Sequence, residues 1–465
     1  MSAHRLQWLT GLFQANQEKT FLVWQEQQFS YGWLLDHISR WQKRLEDSGV
    51  PFGAVVSIEG DYSPETIALF IALIERDVII VPLTASVSAQ RAEFRQTAEV
   101  QVIVAIPEIG EAPITRLPTQ PLRNTLLQQL VGAGEPGLVL FSSGSTGKSK
   151  AALHNLTLLL EKFRTRRYSL VTLAFLMLDH IGGINTLLYV LSNAGTLVCV
   201  DSRDPDAVCK AISRNNVELL PTSPTFLNLI LLSEAHTRHD LSSLKRITYG
   251  TEVMPERTLQ QIHKILPQVE LQQTYGLSEI GILRSKSRSS DCLWVKVGGE
   301  NCETKIQDGT LWVKTQSAML GYLNAPSPFD SEGWFNTGDA VEVDGEFIRI
   351  LGRKSEIINV GGEKVYPVEV ENILLEMPNV SDVAVSGEPN PITGQMVAAR
   401  FNLTQPEDAA AFRRRMREYC HGKLALFKVP AKIQIVATEQ YNSRYKKMRR
   451  VDSQPDKAGE AVKNA

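Results

Sequence analysis

Between Leu138 and Lys150 a hydrophobic run, Leu138-Val139-Leu140-Phe141, gives way to Ser142-Ser143-Gly144-Ser145-Thr146-Gly147-Lys148-Ser149-Lys150. Backbone N–H and hydroxyl groups of such a stretch can close on phosphate oxygens while lysines balance their charge, so the composition suits a triphosphate. It is not a strict Walker A loop, because Ser142 stands where the first Gly of Gly-x4-Gly-Lys-Ser/Thr belongs. A Ser/Gly surface loop is the bland reading of the same residues. Just upstream, Gly132-Ala133-Gly134-Glu135-Pro136-Gly137 spells G-x-G-x-x-G. That motif precedes a strand instead of following one and contains Pro136, so it reads as a turn and not as a dinucleotide site.

Further along, Tyr275-Gly276 sets an aromatic ring beside a glycine, a pairing that lets a purine stack while the backbone approaches it. Glu279 offers the hard carboxylate oxygen that Mg²⁺ prefers. Asp339, after Thr337-Gly338, can accept two hydrogen bonds from a ribose diol. Each has an ordinary reading too: a half-buried Tyr, a solvated Glu, an Asp in a Gly turn.

What lifts these residues above the ordinary is their order. Four segments follow the Ser/Gly/Lys loop: Gly250-Thr251-Glu252, Thr274-Tyr275-Gly276-Leu277-Ser278-Glu279, Gly333-Trp334-Phe335-Asn336-Thr337-Gly338-Asp339, and Gly352-Arg353-Lys354-Ser355-Glu356 running on to Asn359-Val360-Gly361-Gly362-Glu363-Lys364. Together they resemble the adenylate-forming superfamily of acyl- and aryl-CoA ligases, luciferase and nonribosomal peptide synthetase adenylation domains. The resemblance spans about Phe21 to Arg450. It implies that a carboxylate attacks the α-phosphorus of ATP to give an acyl-adenylate, and that a thiol, most simply CoA, then displaces AMP. It implies ATP, Mg²⁺ and CoA as cofactors. By the same resemblance Ser142, Ser143, Gly144, Ser145, Thr146, Gly147 and Lys150 cradle phosphates, Tyr275 and the Gly250 strand end hold adenine, Asp339 and Arg353 hold ribose, and Glu279 binds the metal. The Thr251-Glu252 and Gly276-Leu277-Ser278 neighbours complete the nucleotide set.

The family also places one lysine of a small domain over the reacting carboxylate and α-phosphate. In Asn442-Ser443-Arg444-Tyr445-Lys446-Lys447-Met448-Arg449-Arg450 that position maps to Lys447, with Lys446 in the family's Gly position and as the alternative lysine. Asp179-His180-Ile181-Gly182-Gly183 matches the acid-binding segment and puts His180 in the acyl pocket. Asp179 is either a partner for a substrate ammonium, as in amino-acid-activating relatives, or a helix cap. Gly361-Gly362 resembles the loop through which pantetheine passes. Arg413, Arg414, Arg415 and Arg417 read as a solvated helix face. Rival readings are an enzyme that loads an acyl carrier protein or forms an amide, a P-loop NTPase, and a non-catalytic nucleotide-binding relative.

Positioning such residues takes a large body, and 465 residues allow two or three domains. Helix-like and strand-like periods alternate: Tyr31–Asp47, Ala54–Glu59, Pro64–Ile74 and Val78–Pro82, then 206–215, 217–220 and Arg246–Tyr249. Alternation of this kind predicts parallel α/β layers. Near residue 350 the texture changes to short β stretches about Asp344-Gly345, a helix from Pro367 to Pro378, strands Val380–Ser386 and Met396–Asn402, and the helix Ala409–Cys420. The expected fold is therefore a large multi-layer α/β N-terminal domain, 1–352, with a small α+β C-terminal lid, 353–465, rotating about Leu351–Ser355. Net charge is −2, which offers no global field for nucleic acid. Five cysteines without a C-x-x-C pair, no signal-peptide core and no apolar run near 18 residues predict a cytoplasmic chain without a membrane span.

Overall fold

The structure, a computed structural model, describes residues 5–108, 110–118, 121–143, 148–299, 301–442 and 444–449. The chain divides into two compact units, Met1–Ile350 and Leu351–Ala465.

Two seven-stranded sheets dominate the first unit. In one, the strands Glu270–Gln273, Arg246–Tyr249, Leu219–Thr222, Val171–Leu173, Thr196–Val198 and Thr20–Trp24 run parallel, and Gln27–Ser30 closes the edge antiparallel. In the other, Gly137–Ser143, Ile79–Leu83, Val55–Glu59 and Val102–Ala105 are parallel, flanked by antiparallel Ser149–Asn155 with Gly321–Tyr322 beyond it on one side and by Ile114–Arg116 on the other. Such sheets are buried on both faces, which is why Val55–Glu59 and Ile79–Leu83 are near-continuous apolar runs with every residue buried.

Between the sheets lie helices that are apolar all round. Pro64–Glu75 buries Pro64 and the nine residues Thr66 to Ile74, and Ile181–Ser192 buries most of its length. Their side chains share one core with Val56 and Ile58 of one sheet and with Leu22 and Leu197 of the other. Pro at the first helical position and Ser63 accepting from the Thr66 N–H fix where Pro64–Glu75 begins.

A third, antiparallel sheet of six strands carries Phe335–Asp344 and Phe347–Arg353 about the left-handed Gly345 turn. The second unit is a sheet of Glu363–Val365, Ile358–Val360, Gly394–Leu403 and Val380–Asn390, with Lys432–Ile435 added, covered by helices Pro367–Leu375 and Ala409–Cys420. Its own core joins Val370 and Leu374 to Phe401, Phe412 and Met416. The large α/β body and small α+β unit match the architecture expected from the alternating periods.

Candidate active site

In open α/β sheets the carboxyl ends of parallel strands converge on ligands. Here the residues singled out by the sequence follow those ends: Asp179-His180 after Val171–Leu173, Gly250-Thr251-Glu252 after Arg246–Tyr249, Tyr275 after Glu270–Gln273, and the Ser/Gly/Lys segment after Gly137–Ser143.

The phosphate-type segment is a β-hairpin. Ser142 faces Lys150 and Ser143 faces Ser149 in an antiparallel ladder. A P-loop leads from a strand into a helix, whereas this chain turns back into Ser149–Asn155, so the NTPase reading fails on topology. Gly144, Ser145, Thr146 and Gly147 lie outside the described residues, as does the Ser143 side chain.

Lys150 and Glu279 are joined by a residue that motif reading missed. Gly321–Tyr322 pairs with Ser149–Asn155, setting Tyr322 opposite Ala152. The Tyr322 hydroxyl donates to Glu279 Oε1 at 2.5 Å, and the Lys150 ammonium sits 5.0 Å from the centre of the Tyr322 ring. The Glu279 carbonyl also accepts from the Met319 N–H, two residues before this strand. A second tie comes from His154, wholly buried on Ser149–Asn155, whose Nε2 lies 2.7 Å from the Ser278 carbonyl and so carries the proton. Burial lowers this imidazole to about 4, which keeps it neutral. Its only sequence signal is a polar residue in an apolar strand.

The adenine and ribose candidates are also in contact. The Tyr275 hydroxyl donates to Asp339 Oδ2 at 2.6 Å, with both side chains buried. The Tyr275 ring packs with Ile280, Leu283 and Val295. Asp339 reaches it through a bulge: Trp312 pairs with Asn336 and Thr310 with Ala340, so Thr337-Gly338-Asp339 are pushed out of register. Gly338 takes φ +73°, and Thr337 Oγ1 accepts the Asp339 N–H. Bulges re-aim side chains in this way beside active sites. Gly276 lies in the hairpin of Tyr275–Leu277 with Gly281–Leu283, where a Cβ would come within 2.5 Å of the Gly281 carbonyl oxygen.

Gly250 is held close to Thr274, and Thr251, a β-branched residue, sits at φ +73°. A non-glycine residue persists there only when its surroundings over-determine it, as at ligand sites. Glu252 is already engaged, accepting the Thr225 N–H at the start of helix Pro224–Leu232.

At the acid-binding segment the helix-cap expectation for Asp179 is corrected. His180 is the cap of Ile181–Ser192, its Nδ1 accepting the Gly182 N–H. Asp179 instead points away from the helix, buried, with Oδ2 accepting from Thr84 Oγ1 at 2.7 Å and Ser86 Oγ at 3.4 Å. Thr84 follows Ile79–Leu83, the neighbour of the phosphate-hairpin strand. With Nδ1 accepting the Gly182 N–H, the neutral His180 ring carries its proton on Nε2. Gly183 has a packing reason: a Cβ would lie 1.9 Å from the Met177 carbonyl oxygen.

In the second unit Gly361-Gly362 form the two-residue turn between Ile358–Val360 and Glu363–Val365, with φ +62° and +96°. Arg353 is exposed at the end of Phe347–Arg353. Lys447 is enclosed. Its ammonium donates to Asp382 Oδ1 at 2.8 Å and to the Val383 carbonyl at 2.9 Å. Burial alone would depress it, yet Asp382, with Glu371 behind, holds it above the ordinary lysine value. Arg449 pairs with Glu371 and Glu356. Tyr445 takes φ +53°, the left-handed backbone that glycine adopts most easily.

The AMP-binding enzyme family matches residues 12–323, more than half of the chain, and the AMP-binding enzyme C-terminal domain family matches residues 369–444. This chain is an AMP-binding enzyme. Indoleacetate–CoA ligase of Aromatoleum aromaticum is 27% identical to this enzyme over 469 residues, 89% of this chain and 91% of that protein. The 2-succinylbenzoate–CoA ligase of Bacillus pumilus is 25% identical over 477 residues, 92% and 93% of the two chains. The crystal structure of an anthranilate CoA ligase in complex with anthranoyl-AMP superposes with a TM-score of 0.80 over 96% of this chain and 95% of that one, at 21% identity, a likeness of fold. The adenylate-forming superfamily suggested by the ordered motifs is therefore the family of this enzyme, and its type is that of the acyl- and aryl-CoA ligases. Among the described residues no helix is long and apolar enough to cross a membrane.

Proposed function

We propose that this enzyme converts a carboxylic acid and ATP to an acyl-adenylate and pyrophosphate, then passes the acyl group to the thiol of CoA with release of AMP. The observation that carries this reading is the contact of separate motifs in one body: Lys150, Tyr322 and Glu279 in one chain of contacts, Tyr275 and Asp339 in another. Among the described residues no cluster of three metal ligands occurs. Mg²⁺ suits that arrangement, since it is commonly held by one carboxylate plus substrate phosphates, and Glu279 Oε2 makes no hydrogen bond among the described residues. Bound there, the ion would neutralise phosphate charge.

The acid is a simple carboxylic acid without an α-ammonium. Asp179, the residue that could pair such a group, is buried and held by Thr84 and Ser86. His180 is assigned to the acid's side of the reaction through its Nε2–H. Aryl and arylacetic acids are the first class to test, because the relatives are named for indoleacetate and 2-succinylbenzoate.

For the cation that lets two anions meet, we assign Lys446 in place of Lys447. Tyr445 adopts the left-handed backbone that glycine takes most easily, and reading it as the family's glycine position makes the next residue, Lys446, the family's lysine. Lys447 is consumed by Asp382. Asp339 and Arg353 for ribose, and Gly361-Gly362 for pantetheine, remain part of the proposal. The mobile second unit, 353–465, and a cytoplasmic setting are proposed likewise; five free cysteines suit a reducing compartment.

Acid-dependent exchange of labelled pyrophosphate into ATP, screened over a library of acids, tests the first step, and CoA thioester formation tests the second. Release of ADP, or exchange only with amino acids, would refute the reading. Labelling of a carrier protein or an amine without any CoA thioester would reassign the acceptor.

A further inference from the structure

Lys150 and Glu279 carry opposite charges, contact the same tyrosine side chain, and make no ion pair with each other or with any other described residue. Two such groups in a partly buried site would ordinarily collapse together, since their attraction grows as water is excluded. Tyr322 stands between them. Its ring face, negative by virtue of the π-quadrupole, takes the ammonium at 5.0 Å. Its hydroxyl donates to the carboxylate at 2.5 Å, a charge-assisted hydrogen bond. One side chain thus satisfies a cation through its face and an anion through its tip.

The ring cannot easily step aside. Tyr322 is buried, in a cluster with Ala152 and Met319. Its strand is pinned at both ends of the pairing with Ser149–Asn155, through Leu153 opposite Gly321 and Ala152 opposite Tyr322. The backbone that carries Glu279 is fixed by His154 on the Ser278 carbonyl and by the Met319 N–H on the Glu279 carbonyl.

We propose that Tyr322 is a charge spacer, a positioning residue that keeps Lys150 and Glu279 from neutralising each other so that both stay available to the triphosphate and its cation. This inference rests on the proposed ATP site. The lysine is kept for phosphate oxygens and the carboxylate for the metal. Without the spacer the pair would form a self-inhibiting salt bridge that ATP must break.

The test is ATP binding by calorimetry, with EDTA and then along a Mg²⁺ titration, on the full chain. Tyr322→Leu removes ring and hydroxyl, and metal-free ATP binding is expected to weaken about tenfold. Adding Glu279→Gln to Tyr322→Leu should restore that binding, and by more than the same substitution gains in the otherwise unaltered chain. Tyr322→Phe keeps the ring; metal-free binding should hold while the Mg²⁺ concentration at half-saturation shifts severalfold. A merely structural role would give no rescue by Glu279→Gln. Wild-type metal-free affinity in a folded Tyr322→Leu chain, or an unmoved Mg²⁺ midpoint in Tyr322→Phe, overturns the inference; the second variant decides if the first does not fold. An unaltered chain that binds no ATP would strike down the proposed function itself, and this inference with it.

Discussion

Lys446 and Lys447 are adjacent and chemically identical, yet they should fail in different ways. Removing Lys447 leaves the Asp382 carboxylate without its cation in a place where the two side chains are only 16% and 10% exposed. Breaking one partner out of a buried pair costs about 3–5 kcal/mol, and the remaining Val383 N–H to Asp382 bond places this site at the lower end, about 3 kcal/mol. In a unit of this size that is a fall in melting temperature on the order of 10 °C. Lys447→Ala should therefore lose stability first and activity only as a consequence. Because the Lys447 ammonium is held above its ordinary value, the stabilisation persists through neutral pH and disappears as pH rises through that raised value. Lys446→Ala should lower acid-dependent pyrophosphate exchange by about 10²–10³-fold at temperatures where the variant is folded, the usual loss of one preorganised charge partner. Calorimetric melts at pH 7 and at strongly alkaline pH, beside exchange assays below both midpoints, measure each arm. An unchanged melt with abolished exchange for Lys447→Ala, together with retained exchange for Lys446→Ala, would refute the assignment.

Three further outcomes follow from single contacts. Gly183→Ala forces a methyl against the Met177 carbonyl oxygen and should cost about 3 kcal/mol in denaturant melts, with weakened acid binding through the displaced His180. Lys162, buried between Asn185 and the Ile282 carbonyl, is brought by burial, with Arg167 and Arg284 adding, down to about 7. Between about 7 and 10.5 the unfolded chain then binds more protons than the folded one, so stability rises with pH across that window, and Lys162→Met should flatten the rise. Alanine at Gly361 or Gly362 must adopt left-handed backbone and should cost about 1–2 kcal/mol each in melts of the second unit.

Local signals in the sequence were strong where one element explains itself. The helix Tyr31–Asp47 has an apolar stripe and a Ser30 cap, and its bounds are those read from periodicity. Pro64 and Pro367 mark helix starts for the same reason, a fixed φ at the first turn. What periodicity cannot encode is pairing. Ser142 opposite Lys150 is an antiparallel register, and that register separates the path of this chain from a strand-to-helix phosphate loop. Thr337-Gly338-Asp339 looked like a turn because a bulge and a turn ask for the same left-handed glycine. Asp179 looked like a cap because cap chemistry is judged from neighbours in sequence, whereas its partner Thr84 is 95 residues away. Tyr322 carried no motif at all, and its role arises from one strand pair. At Lys446-Lys447 the letters favour Lys447, and the left-handed backbone of Tyr445, which the sequence does not display, is what supports the proposed assignment of Lys446.

Arg449 grips Glu371 on the helix Pro367–Leu375 with one side of its guanidinium and Glu356 with another nitrogen. Glu356 emerges from the chain immediately after the segment where the second unit begins, while Arg449 lies three residues beyond Lys446. The front and rear of the unit are thus riveted together, some ninety residues apart in the polypeptide. In the proposed rotation about residues 351–355, this clasp would make the segment that bears Lys446 turn with the start of the unit, as in a crank whose handle and pin are cut from one piece.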